Sequence, residues 1–244
     1  MTLAIMQPYF LPYIGYMQLL NAVDTFVFYD DVAFINRGWI NRNRLLANGR
    51  ELLFTIPLKD ASQNRLINEI TLSDEPKWRD KLLRTIEQSY RKAPQFAEVM
   101  PMTERIIRFQ GDTRSDVSVA DYCFHSFSEL TAYLGITTRL VASSAIYENS
   151  HLKAQERILD ICRQEGAERY INPIGGTELY KPEPFAQLGC ELRFIQPRPV
   201  AYPQLGTADF VPWLSILDIL MNNTPAATME LLLDFDLIGE RAKE

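Results

Sequence analysis

With 244 residues, 47% of them hydrophobic, the chain can bury the core of one large domain, and a net charge of −6 argues against generic nucleic-acid binding while leaving room for a local basic pocket. No apolar stretch approaches the roughly 20 residues needed to span a bilayer. The three cysteines, Cys123, Cys162 and Cys190, form no C-x-x-C pair and read as buried free thiols; two histidines are too few for a His-rich or Cys/His zinc site.

Taken in chain order, short apolar runs alternate with helical patterns, as in an α/β fold with a parallel sheet. Leu3–Met6 predicts the first strand, and the run stops at Gln7-Pro8 with no basic region before it and no small-residue cleavage site, so a secretory signal is not expected and a cytoplasmic location is. Thr25–Tyr29 predicts the second strand. In "NRNRLLANGRELLFTIPL", Asn48-Gly49 sits between two β-compatible runs, the residues a tight hairpin with positive φ requires, giving an antiparallel insert over 33–60. The segment "PKWRDKLLRTIEQSYRK" follows, with Trp78, Leu82, Leu83, Ile86 and Tyr90 at helical spacing; with 102–109 and 117–134 it makes 76–135 a mostly helical section. Thr138–Ala142, Arg169–Asn172 and Leu192–Gln196 predict three further strands. A Pro/Gly-rich passage from Pro197 to Gly206 then leads to "DFVPWLSILDILMNN", read as an amphipathic closing helix whose Trp213, Ile216, Leu217 and Leu220 face the core, with Ser215 and Asp218 as its polar positions. The expectation is a single domain over 1–244.

Candidate functional residues cluster where these strands end. In an open parallel sheet ligands sit outside the carboxyl ends of the strands, and the turn "QPYFLPYIGY", Gln7 to Tyr16, follows the first of them. Pro8 and Pro12 fix φ there, and Gly15 removes a Cβ at the helix start, where backbone amides can approach a phosphate. The glycine-rich signatures of dinucleotide and P-loop binding are absent. After the second strand, Asp30-Asp31 is followed by three Asn-Arg pairs, Asn36-Arg37, Asn41-Arg42 and Asn43-Arg44, and by Trp39. These offer bidentate donors for phosphate, amide groups for sugar or base edges, and a stacking face. Acid-base work falls most naturally to Asp30 or Asp31, and a divalent ion such as Mg2+ bound by Asp30 and substrate phosphates is compatible with this but not demanded. Gly175-Gly176 lies beyond a later strand, where backbone N–H groups could face an anion. His125 falls within a predicted helix and reads as structural; His151, in a loop beside Lys153, is retained as a candidate. No spacing supports a Ser-His-Asp or Cys-His nucleophile.

The stretch "QPYFLPYIGYMQLLNAVDTFVFYDDVAFINRGWINRNRL" resembles the opening of the WbqC-like family, and the resemblance continues in "ASSAIYENSHLKAQERILDIC", "YINPIGGTELY" and "DFVPWLSILDIL". It implies a cytoplasmic bacterial protein of surface polysaccharide (O-antigen) biosynthesis, acting on amino-sugar or nucleotide-sugar precursors. The positions carried over are Gln7, Pro8, Pro12, Gly15, Tyr16, Asp30, Asp31, Asn41, Arg42, Gly175, Gly176, Tyr180, Pro212 and Ser215. A weaker resemblance links the first turn to nucleotidyltransferases of the HUP type, with Tyr13-Ile14-Gly15-Tyr16 standing where paired histidines would grip a triphosphate, and Ser143-Ser144 with His151 and Lys153 as a second phosphate grip. Phenols lack the positive charge of that chemistry.

The resulting expectation is an open, HUP/Rossmann-like α/β enzyme that transfers an acyl or aminoacyl group to a nucleotide-linked amino sugar, a small-molecule substrate, with a homo-oligomer compatible. The catalytic candidates are Asp30, Asp31 and His151. Those for binding are Gln7, Pro12, Gly15, Tyr16, Trp39, Asn41, Arg42, Arg44, Lys153, Gly175, Gly176 and Tyr180. Rival readings are an adenylate-forming enzyme and a non-catalytic partner in a polysaccharide assembly complex.

Overall fold

The computed structural model describes residues 1–75, 77–111, 116–207 and 209–239, so Pro76 at the head of the predicted helical segment, and 112–115 within the helical section, lie outside the description. The chain opens with β1 (Thr2–Met6), α1 (Ile14–Asn21) and β2 (Thr25–Phe28). A hairpin follows, β3 (Arg42–Ala47) and β4 (Arg50–Thr55), then the short pair β5 (Leu58–Lys59) and β6 (Thr71–Leu72). The helices α2 (Trp78–Tyr90), α3 (Phe96–Arg108) and α4 (Val119–Leu134) lead to β7 (Arg139–Val141), α5 (Ala154–Glu165), β8 (Arg169–Pro173), α6 (Pro182–Gln187) and β9 (Glu191–Pro197). The described chain closes with α7 (Ile216–Asn222), α8 (Pro225–Leu232) and β10 (Phe235–Ile238).

The main sheet has the order β10-β9-β8-β1-β2-β7. All neighbours are parallel except β10, which runs antiparallel on the β9 edge. Central β1 is apolar on both sides because both are covered: Ala4 packs into the core with α1 and α4, while Leu3 and Ile5 pack with α5. From β1 the chain builds outward to β2 and β7, then returns to add β8 and β9 on the other side. The direction of winding reverses between β1 and β8, and their carboxyl ends splay to leave a crevice.

The five parallel strands stand where the apolar runs predicted them. The hairpin turn is also as expected: Asn48 has φ +51° and Gly49 φ +72°, a pair of left-handed residues that suits the twist of two-residue hairpins. In α2, Trp78, Leu82, Leu83, Ile86 and Tyr90 are all buried. The end of the chain differs from expectation. Ser215 accepts from the Leu217 N–H at 3.3 Å and starts α7 there, so Trp213 lies outside the helix. Trp213 is 59% exposed at φ +62°, and not in the core. Nor does α7 close the chain: Thr224 caps a further helix and β10 follows.

Asp218 on α7 is fully buried and ties three segments together. Its carboxylate accepts from Tyr90 of α2 at 2.8 Å, and from Tyr202 at 2.7 Å and Gln204 at 3.0 Å in the loop before α7. Burial holds its pKa above the ordinary carboxylate value despite these three donors. The folded chain therefore binds this proton more tightly than the unfolded chain. That contribution to stability is complete below the unfolded value and is lost as pH rises through the folded one. Asp218→Asn keeps an acceptor for Tyr90 and removes the titration. The stability of the parent relative to this variant is expected to fall as pH rises from the ordinary aspartate range through the raised folded value, read by urea unfolding at each pH. A constant difference would exclude Asp218 as the titrating group.

Candidate functional site

The segment from Gln7 to Tyr16 is held from three sides. The Tyr16 hydroxyl donates to the Gln7 carbonyl at 2.7 Å, and the Phe10 N–H donates to Ile40 O at 3.1 Å. At Leu11 the backbone takes φ +43°, and its carbonyl accepts from Asn43 Nδ2 at 2.8 Å and Ser215 Oγ at 2.7 Å. The Ile216 N–H donates to Pro12 O, and the Ser215 N–H to Arg44 O, so the first turn, the hairpin and the start of α7 form one framework. The rigid residues of "QPYFLPYIGY" thus serve a shaped loop whose carbonyls at Gln7, Leu11 and Pro12 accept hydrogen bonds from within the chain.

That framework bounds a cleft of about 400 Å3 at the carboxyl ends of β1 and β8. Tyr9, Pro12, Tyr13 and Tyr16 line it from the turn, Trp39, Asn43 and Arg44 from the hairpin side. Met6 and Pro173 end the two strands, and Trp213 completes the wall. The Tyr13 and Trp213 rings meet edge-on at 5.8 Å. The Arg44 guanidinium lies 5.3 Å from the centre of Trp39, which Arg42 also approaches at 5.6 Å. Arg44 Nη1 donates to Glu51 at 2.9 Å, while its buried Nε has no acceptor among the described residues. Burial raises the pKa of Tyr9, Tyr13 and Tyr16, so these phenols stay neutral. The lining thus combines aromatic faces with one guanidinium and contains no carboxylate, an arrangement that can hold a ring carrying an anionic group.

Of the residues expected from sequence, Pro12, Tyr16, Trp39 and Arg44 meet in this cleft, and Gln7 supports it through Tyr16. Gly15 serves packing: a Cβ there would lie 2.5 Å from the Tyr13 ring and 2.9 Å from Pro197. Asn41 closes the hairpin by donating to Ile56 O at 2.8 Å. Arg42 donates through Nε to Gly38 O at 2.9 Å and through Nη2 to Arg37 O, fixing the loop that carries Trp39.

Asp30 and Asp31 are engaged elsewhere at the same sheet edge. Asp30 is 3% exposed, and its Oδ1 accepts from Ser143 Oγ at 2.7 Å and the Ser144 N–H at 3.0 Å. Burial raises its pKa, opposed by those hydrogen bonds. Asp31 pairs with Arg157 and accepts from the Ser144 hydroxyl. Arg157 donates to Asn149 Oδ1 at 2.9 Å and lies 4.9 Å from the centre of the Tyr29 ring. The hydrogen bonds to the Asp30 carboxylate all fall on Oδ1, and none to Oδ2 is present among the described residues. Ser143 and Ser144 bind these aspartates, and no phosphate grip is formed with His151 and Lys153, which are exposed; His151 lines a separate groove with Asn149 and Asp160. Gly176 makes room for Asn172, whose Nδ2 a Cβ would meet at 2.6 Å; Gly175 has open space around it, and Tyr180 packs edge-on against Tyr170. Among the described residues no cluster of His, Cys, Asp or Glu is arranged to hold a metal, and no helix is long and apolar enough to cross a membrane. His125 stacks on Phe109, with centroids 3.9 Å apart.

Sequence reasoning missed Trp213, which an apolar spacing assigned to the core, and Arg157, which on an amphipathic helix looks like a solvent residue. The left-handed backbone at Trp213 has no signature in sequence, because bulky residues rarely adopt it.

A protein of Mycobacterium tuberculosis (strain ATCC 25618 / H37Rv) that carries the description Uncharacterized protein Rv1507c is 30% identical over 220 residues, covering 90% of this chain and 92% of that one. No solved structure matches. The model of the WbqC-like protein family matches residues 7–230, from the first residue of the cleft-forming turn through most of α8, and the chain belongs to that family.

Proposed function

We propose that the chain binds a nucleotide-linked amino sugar in the cleft between β1 and β8 and acts as a transferase that acylates or aminoacylates the sugar amine in surface polysaccharide synthesis. The observation that carries this reading is the combination, at the sheet's reversal point, of Tyr13, Trp39 and Trp213 with the Arg44 guanidinium. Aromatic faces suit the C–H face of a sugar or a base, and a guanidinium suits the diphosphate. The amine nitrogen would form the bond to the carbonyl carbon of an activated acyl donor such as a thioester. The bond from that carbon to the leaving group would break, and the amine proton would depart with that group. The cleft residues bind and orient the acceptor. The adenylate-forming alternative has less support, because Tyr16 is committed to the Gln7 carbonyl and no histidine lines the cleft.

Calorimetric titration with UDP- and TDP-linked amino sugars tests the reading. Arg44→Ala is expected to weaken binding by about 1–3 kcal/mol, the range of a charge-assisted contact. Its melting temperature should change little, since the pair with Glu51 is partly exposed. Absence of saturable binding to any nucleotide sugar, or wild-type affinity in Arg44→Ala, would remove the proposal.

A further inference from the structure

The hairpin has one used edge and one open edge. Pairing runs from Arg42↔Thr55 to Ala47↔Arg50, and in an antiparallel ladder alternate residues turn their N–H and C=O groups inward and outward. The Ile56 N–H donates to Asn41 O across the ladder, which sets the phase. On β3 the outward groups are occupied: the Leu46 N–H donates to the Tyr90 hydroxyl at 3.0 Å and Arg44 O accepts from the Ser215 N–H at 2.8 Å. On β4 the same phase turns Glu51, Leu53 and Thr55 outward, and no hydrogen bond to their backbone groups is present among the described residues.

Edge strands left open are commonly blunted by charge, proline or a covering element. β4 carries charge only at its start, Arg50 and Glu51, and has Leu52 and Leu53 at its centre, 38% and 51% exposed. Beside it runs a groove of about 750 Å3 between β4 and α2. Phe54, Trp78 and Leu82 supply apolar lining, and the buried Trp78 Nε1 has no acceptor among the described residues. Three exposed cations, Lys77, Lys81 and Arg84, stand along the groove against one acid, Glu75.

We propose that this edge is a docking site for an extended, acidic segment of a partner protein, added as a third strand to the hairpin. The backbone of the segment would pair with Glu51, Leu53 and Thr55, and alternate side chains would fall into the groove. There the lining calls for apolar residues over Trp78 and Leu82 and for carboxylates opposite Lys77, Lys81 and Arg84. The net charge of −6 makes this basic strip a local exception, and its sign selects an acidic occupant. The site is separate from the cleft and does not depend on the reaction proposed for it.

The test uses a fluorescein-labelled octapeptide, Thr-Leu-Thr-Glu-Thr-Leu-Thr-Glu, and its counterpart with lysine in place of glutamate, each titrated with the full chain by fluorescence anisotropy. The acidic peptide is expected to bind saturably and at least about tenfold more tightly than the basic one, with affinity falling as salt is added. Leu53→Pro removes an outward N–H and leaves the inward ladder groups intact, and is expected to weaken binding about tenfold with the circular dichroism of the chain unchanged. Lys81→Glu with Arg84→Glu, on the exposed side of α2, tests the charge even if Leu53→Pro fails to fold, and should give a similar loss. No saturable binding, equal binding of the two peptides, or no effect of the α2 reversals would overturn the proposal. Sedimentation showing a dimer that Leu53→Pro dissolves would also overturn it, by assigning the edge to a second copy of the chain.

Discussion

Arg157→Ala is expected to lower the unfolding free energy by about 3–5 kcal/mol, the range seen when one partner of a buried ion pair is deleted. The Arg157 and Asp31 side chains are only 4% and 8% exposed, so Asp31 would be left as a buried charge with one hydroxyl, that of Ser144, for compensation. Asn149 would lose its donor from Arg157 while still donating to Asp160 at 2.8 Å, and Tyr29 would lose the guanidinium beside its ring. Because the pair joins the end of β2 to α5, the loss should also loosen the carboxyl edge of the sheet. Asp31→Asn retains an acceptor but leaves Arg157 buried without its counter-charge, so it should also be destabilising, and the double variant should cost less than the sum. Urea unfolding of the three variants checks this. Additive losses, or a stable Arg157→Ala, would show that the pair is not coupled.

This pair also marks the boundary of what sequence could reveal. The acids were legible as a doublet at a strand end, since an apolar run followed by Asp-Asp places them there. Their partner was not, because Arg157 is 126 residues away and an arginine between apolar helix positions looks solvated. At Arg42 the sequence setting suggests a ligand donor, and in the structure its Nε and Nη2 donate to the carbonyls of Gly38 and Arg37. The parallel strands were readable because burial on both faces enforces continuous apolar runs. β10 was not, because Phe235-Asp236-Leu237-Ile238 is a short, half-buried edge strand with a charge inside it, and its identity depends on pairing with β9. The cleft lay in between. Its turn and hairpin were recognised from residue types at strand ends, whereas Trp213 enters through a backbone conformation that only the anchored Leu11 and Ser215 framework explains.

Gly15→Val is expected to cost about 3 kcal/mol of stability, at the upper end of overpacking effects, and to reduce ligand affinity as a consequence. Gly15 does not need left-handed backbone, so the cost is steric. Even a bare Cβ would sit 2.5 Å from Tyr13 Cε2 and 2.9 Å from Pro197 Cγ. Pro197 belongs to the end of β9, where its ring has little freedom, and Tyr13 is both a cleft wall and the edge-on neighbour of Trp213. Valine must therefore displace α1 from β9 or push Tyr13 toward Trp213, and the second response moves two walls of the cleft. Gly15→Ala should show the same effect reduced, since a helix gains up to about 1 kcal/mol when alanine replaces glycine. If the glycine instead admitted a phosphate to the helix start, Gly15→Ala would melt like the parent and still bind poorly. Combining Gly15→Ala with Pro197→Ala separates the two: relief of the Pro197 contact should recover part of the lost stability, a coupling that a phosphate cradle does not produce. Thermal melts and nucleotide-sugar titrations on the single and double variants decide between them, and an unchanged melting temperature in Gly15→Val would overturn the packing explanation.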